Sequence, residues 1–196
     1  STCAIPISLS SVTNTQLLTC QSNKFVDNSS NALTITATGT PKVQTQNPWQ
    51  VNTGISYYFD GTGDYLSFQT NNQQLMFGSG DFTVEAWVYR TATGNQAILV
   101  GQGDLATGAG SSYIFYVSAS ATSDLYVSST SYAITSPNPT INTWAFVTWV
   151  RSGTSYKSYL NGVQVGTTTL SAGAVVNAGT ATYAPSVGAQ GNGTTP

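Results

Sequence analysis

The chain has 196 residues, of which 99 are Thr, Ser, Asn, Gln or Gly and only 12 are charged, giving a net charge of −2. The absence of histidine excludes a Ser-His-Asp triad, a Cys-His pair and an imidazole zinc site, and five dispersed cations are too few to neutralise the phosphates of a nucleic acid. An apolar content of 40%, with 11% aromatic residues, predicts a folded domain with a hydrophobic core.

The N-terminal region has no basic segment followed by an apolar run, and no stretch of about 18 apolar residues occurs in the sequence, so neither a signal peptide nor a membrane span is predicted. We interpret residues 1–15 as a linker or N-terminal arm and residues 16–196 as one domain. Cys3 and Cys20 match no metal-binding spacing. A disulfide between them is one interpretation, but two unpaired thiols are preferred, because two cysteines do not indicate an oxidising compartment.

From residue 17 onward, short runs of β-branched and aromatic residues are separated by clusters of Gly, Asn, Asp and Ser, a pattern typical of antiparallel strands. Strands are predicted at 17–20, 32–38, 55–60, 64–69, 81–90, 97–101, 113–118, 125–129, 144–151, 156–161 and 163–169. One helical turn is predicted at 72–77, before the glycines at 78 and 80. The predicted fold class is therefore all-β.

The segment 81–90 shows the clearest alternation. One of its faces carries Phe82, Val84, Ala86 and Val88, and the other carries Thr83, Glu85, Trp87 and Tyr89. One face is wholly apolar and the other is mixed, as in one layer of a β-sandwich. Further along, the Asn161-Gly162 pair between two alternating runs predicts a hairpin with a type I′ turn.

Four segments in this order resemble the laminin-G-like group of concanavalin A-like jelly rolls. They are YFDGTGDYL at 58–66, DFTVEAWV at 81–88, WAFVTWVRSG at 144–153 and YLNGV at 159–163. The resemblance covers residues 16–195 and implies an antiparallel two-sheet β-sandwich. Members of the group continue past a Gly-Asn-Gly turn, here at 191–193, into one further strand. The resemblance therefore implies that the last strand is missing and belongs either to a longer chain or to a neighbouring subunit.

The upstream segment NTQLLTCQSNKFVDNSSN at 14–31 resembles the opening of laminin-G-like repeats in structural proteins of tailed bacteriophages, especially those of marine cyanobacteria. This resemblance implies a virion component such as a tail fibre, appendage or decoration protein. Its expected partners are other virion subunits or copies of itself, with host-surface glycan as a further partner and with no nucleic acid or membrane.

Some relatives in the concanavalin A-like group are glucanases, which implies glycoside hydrolysis as a hypothesis. That chemistry needs two carboxylates flanking the scissile bond. Glu85 is the only glutamate, and its same-face neighbours Thr83 and Trp87 carry no carboxylate, so no catalytic residue and no enzymatic activity are predicted. A carboxylate in a largely apolar strand needs a partner, and Arg151 is the best candidate among so few cations. We therefore predict a structural Glu85–Arg151 ion pair.

Asp60 and Asp64 frame a turn that contains Gly61 and Gly63. Two carboxylates with nearby carbonyl oxygens are candidate calcium ligands, and calcium occurs in some laminin-G-like relatives. The preferred interpretation is that Asp60 caps the turn while the two glycines adopt positive φ, because no third carboxylate is evident nearby. No cofactor other than calcium is considered.

Glycan binding is the natural non-enzymatic function of the fold that the resemblance implies. It would use exposed aromatic rings for stacking and Asn or Gln for hydrogen bonds. The candidates in loops or at strand ends are Trp49, Tyr57, Tyr113, Tyr132 and Tyr183, whereas Trp87, Trp144 and Trp149 are expected in the core. The predicted function is a structural virion protein whose jelly roll serves assembly and host attachment. The alternative is an extracellular or cell-surface carbohydrate-binding module.

Overall fold

The computed structural model describes residues 11–49, 54–68, 75, 77–92, 97–102, 113–117, 123–127, 130–134, 139–170 and 184–189. These ranges contain thirteen strands and no α-helix, which confirms the all-β prediction. The strands are β1 (Ile35–Thr38), β2 (Lys42–Gln44), β3 (Ser56–Tyr58), β4 (Tyr65–Phe68), β5 (Phe82–Tyr89), β6 (Ala97–Gln102), β7 (Tyr113–Val117), β8 (Ser123–Val127), β9 (Thr130–Ile134), β10 (Trp144–Ser152), β11 (Ser155–Leu160), β12 (Val163–Thr169) and β13 (Ser186–Val187).

Two sheets make up most of the described structure. The larger has the order β1-β4-β13-β6-β7-β8-β9, the smaller has the order β12-β11-β10-β5, and β2 pairs with β3 in a separate two-stranded sheet. All pairings are antiparallel. The rings of Phe115 in β7 and Trp149 in β10 lie 5.6 Å apart, so the two large sheets pack face to face. This arrangement confirms the predicted antiparallel two-sheet sandwich.

The core lies between these two sheets because alternate residues of each strand point inward. Its fully packed members are Phe82, Tyr113, Phe115, Val147, Trp149, Tyr156 and Leu170. In β5, the apolar face predicted from the alternation meets this cluster: Phe82 is buried, and Val84, Ala86 and Val88 pack against the cluster. The opposite face of β5 therefore points away from the core, and the candidate functional site lies on that face.

The β11–β12 hairpin turns at Asn161 and Gly162, as predicted. Their φ angles of 51° and 80° are both positive, as a type I′ turn requires. The turn also contacts β10, because the Asn161 amide donates to the Phe146 carbonyl at 2.8 Å and the Phe146 amide donates to Asn161 Oδ1 at 2.9 Å. The Asn-Gly pair therefore closes the hairpin and fixes it to the centre of the four-stranded sheet.

Residues 17–20 form no strand, so that prediction is wrong. Side chains, rather than a neighbouring strand, accept hydrogen bonds from this segment: the Leu18 amide donates to Asp27 Oδ1 at 2.9 Å, and the Cys20 amide donates to the Tyr57 hydroxyl at 3.2 Å. Local β-propensity is overridden where such side-chain acceptors are available.

Three other predictions concern residues that the structure describes only in part. Of the predicted helical turn at 72–77, only Leu75 and Phe77 are described, and Leu75 adopts a 3₁₀ turn. Cys20 is a free thiol whose pKa is raised by burial to about 11, whereas Cys3 lies outside the described residues. Within the described ranges, no helix has the length and hydropathy needed to cross a membrane.

Asp27 organises the N-terminal loop that precedes β1. Its Oδ1 accepts hydrogen bonds from the Leu18 amide at 2.9 Å and the Ser29 amide at 2.8 Å, and its Oδ2 accepts from the Ser29 hydroxyl at 2.8 Å and the Leu33 amide at 2.9 Å. Burial by itself would raise the pKa of this carboxyl, but these four donors favour the charged form and lower its pKa below the usual value.

Substituting Asp27 by asparagine is expected to reduce the free energy of unfolding by about 2 kcal/mol at pH 7, because an amide nitrogen would face donors that now meet a carboxylate. The folded pKa lies below that of an unfolded aspartate, about 3.9. The stabilisation is therefore complete well above that value and is lost as pH falls through the folded pKa. Urea denaturation of both proteins between about pH 7 and pH 2.5 should show the difference shrinking on acidification. A constant difference would contradict this assignment.

Candidate functional site

Four aromatic side chains of β5 and β10 lie on the outer face of the four-stranded sheet, on the side opposite the core. In the register of β5 and β10, Trp87 pairs with Phe146, and Tyr89 pairs with Trp144. Side chains of paired residues in antiparallel strands lie on the same face. The Trp87 and Phe146 rings are accordingly 5.2 Å apart with an interplanar angle of 41°, and the Tyr89 and Trp144 rings are 5.4 Å apart at 58°.

A fifth ring comes from the loop between β2 and β3. The ring of Trp49 lies 6.0 Å from that of Trp87 at an interplanar angle of 69°. The Trp49 ring is therefore steeply inclined to the Trp87 ring beside it. Trp87 is 39% exposed, and the other four rings are half-buried. We call Trp49, Trp87, Tyr89, Trp144 and Phe146 together the aromatic surface. An exposed aromatic group of this size with polar neighbours is typical of a binding site.

Asn47 holds the Trp49 loop in place. This side chain is only 4% exposed; its Oδ1 accepts from the Trp49 amide at 3.0 Å, and its Nδ2 donates to the Thr45 carbonyl at 2.9 Å and the Gly54 carbonyl at 3.3 Å. A Cβ on Gly54 would lie 2.5 Å from Asn47 Cγ, so only glycine permits this close approach. The loop therefore presents Trp49 in a defined position beside Trp87.

Polar side chains continue the outer face next to the aromatic surface. Glu85 of β5 pairs with Thr148 of β10, Thr148 pairs with Tyr159 of β11, and Tyr159 pairs with Gln164 of β12. We call these four residues the polar row. Glu85 and Gln164 are exposed, and Thr148 and Tyr159 are half-buried. A carboxylate, two hydroxyls and an amide can donate to and accept from a ligand rich in hydroxyl groups.

The five aromatic residues predicted as stacking candidates lie in different places. Trp49 belongs to the aromatic surface. Tyr57 instead anchors the N-terminal loop, since its hydroxyl donates to the Lys24 carbonyl at 2.8 Å. Tyr113 is fully buried in the core, where burial raises the pKa of its hydroxyl, so it cannot meet a ligand. Tyr132 belongs to β9, but its side chain, like the whole of Tyr183, lies outside the described residues.

The expectation that three tryptophans are buried holds for Trp149, which is 0% exposed. It is wrong for Trp87, which is 39% exposed, and Trp144 is half-buried on the outer face. The alternation of residues along the strands predicts that Trp87 and Trp144 lie on the outer face. The alternation in segment 81–90 already placed Trp87 opposite Phe82, and the same alternation places Trp144 opposite Trp149 along β10.

The geometry does not support the predicted ion pair between Glu85 and Arg151. Arg151 pairs with Phe82, and its side chain is 3% exposed on the inner side of the sheet, where its Nε donates to the Gly153 carbonyl at 3.0 Å. Glu85 pairs with Thr148 and is exposed on the outer face. The two charged groups are therefore on opposite faces of one sheet.

Asp60 and Asp64 make the contacts of turn-capping residues. The buried Asp64 carboxylate accepts from the Thr40 amide at 2.6 Å and the Asp60 amide at 3.3 Å, and Asp60 Oδ1 accepts from the Thr62 amide at 2.7 Å. The intervening glycines have φ angles of 81° and 78°. No group of three or more potential metal-ligating side chains occurs among the described residues.

A calcium ion that bound only the folded protein would raise its melting temperature. Both Asp64 carboxylate oxygens already accept backbone hydrogen bonds, so we expect no such binding and a change of less than about 1 °C at millimolar calcium. Differential scanning calorimetry with calcium and with a chelator measures this. A rise of several degrees that disappears in the Asp60→Asn variant would instead establish calcium binding at this turn.

Several solved structures are similar to this chain, and three of them are described below. Domain 4 of AbnA, a GH43 extracellular arabinanase from Geobacillus stearothermophilus solved in complex with arabinotriose, has 15% identity and a TM-score of 0.57 over 81% of this chain and 74% of that domain. A candidate carbohydrate-binding protein from Bacteroides ovatus has 14% identity and a TM-score of 0.46 over 63% of this chain. The carbohydrate-binding module CBM66 from Bacillus subtilis has 16% identity and a TM-score of 0.42, covering 78% of this chain and 90% of that module.

The matched region spans only 34% of the Bacteroides ovatus protein, about a third of its length. A search of curated protein sequences finds no significant match. The sequence model for Laminin_G_3, described as the concanavalin A-like lectin/glucanases superfamily, matches residues 60–196, which is more than half of the chain and includes both β5 and β10. On this match and on the antiparallel two-sheet sandwich, the chain belongs to the concanavalin A-like lectin/glucanases superfamily.

Proposed function

We propose that this chain is a carbohydrate-binding module and that the aromatic surface is its binding site. The observation that carries the proposal is the exposed ring of Trp87 with Trp49 beside it at 69°. The C–H face of a sugar stacks on an aromatic ring, and polar groups beside the ring fix its orientation. The polar row supplies such groups two residues further along the strands.

The comparisons support this proposal at the level of the family. The superfamily description includes lectins, and domain 4 of AbnA, whose fold is similar, was solved with arabinotriose. Arabinose oligosaccharides are for this reason among the first ligands to test. A module of this kind binds extracellular or surface glycan, so we propose that this chain is located outside the cell or on a surface.

We propose binding without catalysis. Glycoside hydrolysis requires two carboxylates about 5 to 9.5 Å apart. Glu85 is the only glutamate of the chain, and its neighbours on the outer face are Thr83, Trp87 and Thr148, none of which carries a carboxylate.

The virion role expected from segment 14–31 stays a prediction, because neither the fold nor the comparisons bear on it. The two roles are compatible, since a carbohydrate-binding module on a fibre would attach the fibre to host-surface glycan. A cryo-EM map of intact particles containing this sequence would test the virion role separately.

Affinity electrophoresis in native gels tests the proposed function. The protein carries a net charge of −2 and migrates toward the anode at neutral pH. We expect a gel containing arabinan, xylan, mannan or mixed-linkage glucan to retard it relative to a polymer-free gel, and soluble oligosaccharide of the same sugar to reverse the retardation. Unchanged mobility in every polymer, together with background signal on a glycan array, would contradict the proposal.

A further inference from the structure

We propose that the outer face selects a neutral pyranose chain and that Glu85 is the residue that excludes acidic sugars. This inference rests on the proposed function and concerns the same site. Its basis is the alignment of the aromatic surface with the polar row along the strand direction, together with the charge that Glu85 places there.

Each cross-strand pair of β5 and β10 on the outer face forms one row, and the next row lies two residues further along the strands. Along β10 these positions are Phe146, then Thr148, then Val150. Two residues of strand advance about 7 Å, which is comparable with the length of one sugar unit. A chain lying along β5 and β10 would therefore place one sugar over Trp87 and the next over Glu85 and Thr148. Pyranose rings present flat C–H faces, which match the flat ring of Trp87.

The described outer face continues from the aromatic surface into the polar row. The Trp87 and Phe146 rings lie side by side on the sheet, and the Trp49 ring stands beside Trp87 at an interplanar angle of 69°. Beyond the aromatic surface, the polar row crosses four strands. Consecutive units of one polysaccharide chain can therefore contact both groups of residues.

Glu85 gives the polar row a negative charge with no cation facing it directly. Its neighbours on β5 are Thr83 and Trp87, and its partner across the strand pair is Thr148. The nearest outer-face cation in the described sheet is Lys157, which lies one row further along on β11, two strands from Glu85. Two strand spacings are roughly 10 Å, which is well beyond the distance of an ion pair. Lys157 therefore leaves most of the Glu85 charge uncompensated.

A carboxylate can only accept hydrogen bonds. Glu85 can therefore bind vicinal hydroxyl groups of a neutral sugar, but it repels a uronate placed in the same position. Thr148, Tyr159 and Gln164 carry no charge and do not offset this repulsion. The result is selection for neutral over acidic chains of the same backbone.

Isothermal titration calorimetry with matched hexasaccharides tests the inference. The neutral probes are cellohexaose and mannohexaose, the acidic probes are the corresponding β-1,4-linked glucuronic and mannuronic acid hexamers, and arabinohexaose is a furanose probe. We expect the wild type to bind a neutral pyranose hexamer at least tenfold more tightly than its uronate counterpart at 20 mM salt, with the ratio falling in 0.5 M salt. Glu85→Gln should reduce the ratio at low salt to below about threefold. Asp60→Asn, which removes the same charge from an exposed turn, should leave it unchanged.

Several outcomes would overturn the inference while preserving the proposed function. These are equal affinity of the wild type for neutral and acidic hexamers, an unaltered ratio in a Glu85→Gln protein with wild-type circular dichroism, an equal change in Asp60→Asn, and binding of arabinohexaose alone. Absence of binding to all five probes and to the polysaccharide gels would instead overturn the proposed function and the inference with it.

Discussion

Replacing Trp87 by alanine is expected to weaken binding to the preferred glycan at least thirtyfold, which corresponds to about 2 kcal/mol. Trp87 is the most exposed of the described aromatic residues on the outer face, at 39%, and it contacts both Trp49 and Phe146. The substitution removes the ring on which a sugar would stack and the aromatic ring that Trp49 contacts. Trp87→Phe keeps a smaller ring and should retain part of the affinity.

The effect on stability should be much smaller than the effect on binding, because Trp87 faces away from the core. Val163→Ala is the matched control: Val163 is 66% exposed at the start of β12, outside the aromatic surface, and its truncation should change neither property. Calorimetric titration and thermal melting of the three variants beside the wild type separate the two quantities. Undiminished affinity in Trp87→Ala would remove the aromatic surface as the binding site.

Trp149→Ala is expected to have the largest effect on folding, a loss of about 3 to 5 kcal/mol. Trp149 is 0% exposed, lies 5.6 Å from Phe115 across the sandwich and belongs to the central core cluster. Alanine at this position leaves a cavity between the two sheets. Because native proteins have a total stability of about 5 to 15 kcal/mol, this single substitution removes a large part of the stability of the domain.

Equilibrium urea denaturation followed by circular dichroism measures this effect. Trp149→Phe should cost less than half as much, since it fills most of the space and since the indole Nε1 of Trp149 is buried without a hydrogen-bond partner among the described residues. Trp144→Ala, a truncation of the same size on the outer face, should also cost less. Equal losses for Trp149→Ala and Trp144→Ala would contradict the assignment of inner and outer faces.

Local patterns were sufficient to predict the longest strands. The alternation in β5 and the Asn161-Gly162 turn depend on neighbours in sequence, and both are found as predicted. Strands β2, β9 and β13 were missed. Strand β13 has only Ser186 and Val187, which lie between β4 and β6, so its pairing is set by partners about 85 and 120 positions away and leaves no periodic signal of its own.

The candidate site was predictable only in part, for two physical reasons. Size favours burial of tryptophan, and that preference led to the wrong placement of Trp87, although the alternation of its strand pointed outward. The contact between Trp49 and Trp87 depends on the loop that Asn47 and Gly54 shape, and nothing in the local sequence specifies where that loop lies. The Glu85–Arg151 pair was predicted without the strand register, which alone decides the face on which each residue lies.

The central claim is that glycan binds at the aromatic surface, and the indole N–H signals of the four tryptophans test it most directly. The preferred oligosaccharide is titrated into ¹⁵N-labelled protein, with single Trp→Phe variants providing the assignments. We expect the signals of Trp49 and Trp87 to shift in proportion to occupancy, with a smaller shift for Trp144, while the signal of Trp149, fully buried in the core, stays in place. Saturable binding with unchanged Trp49 and Trp87 signals would contradict the claim.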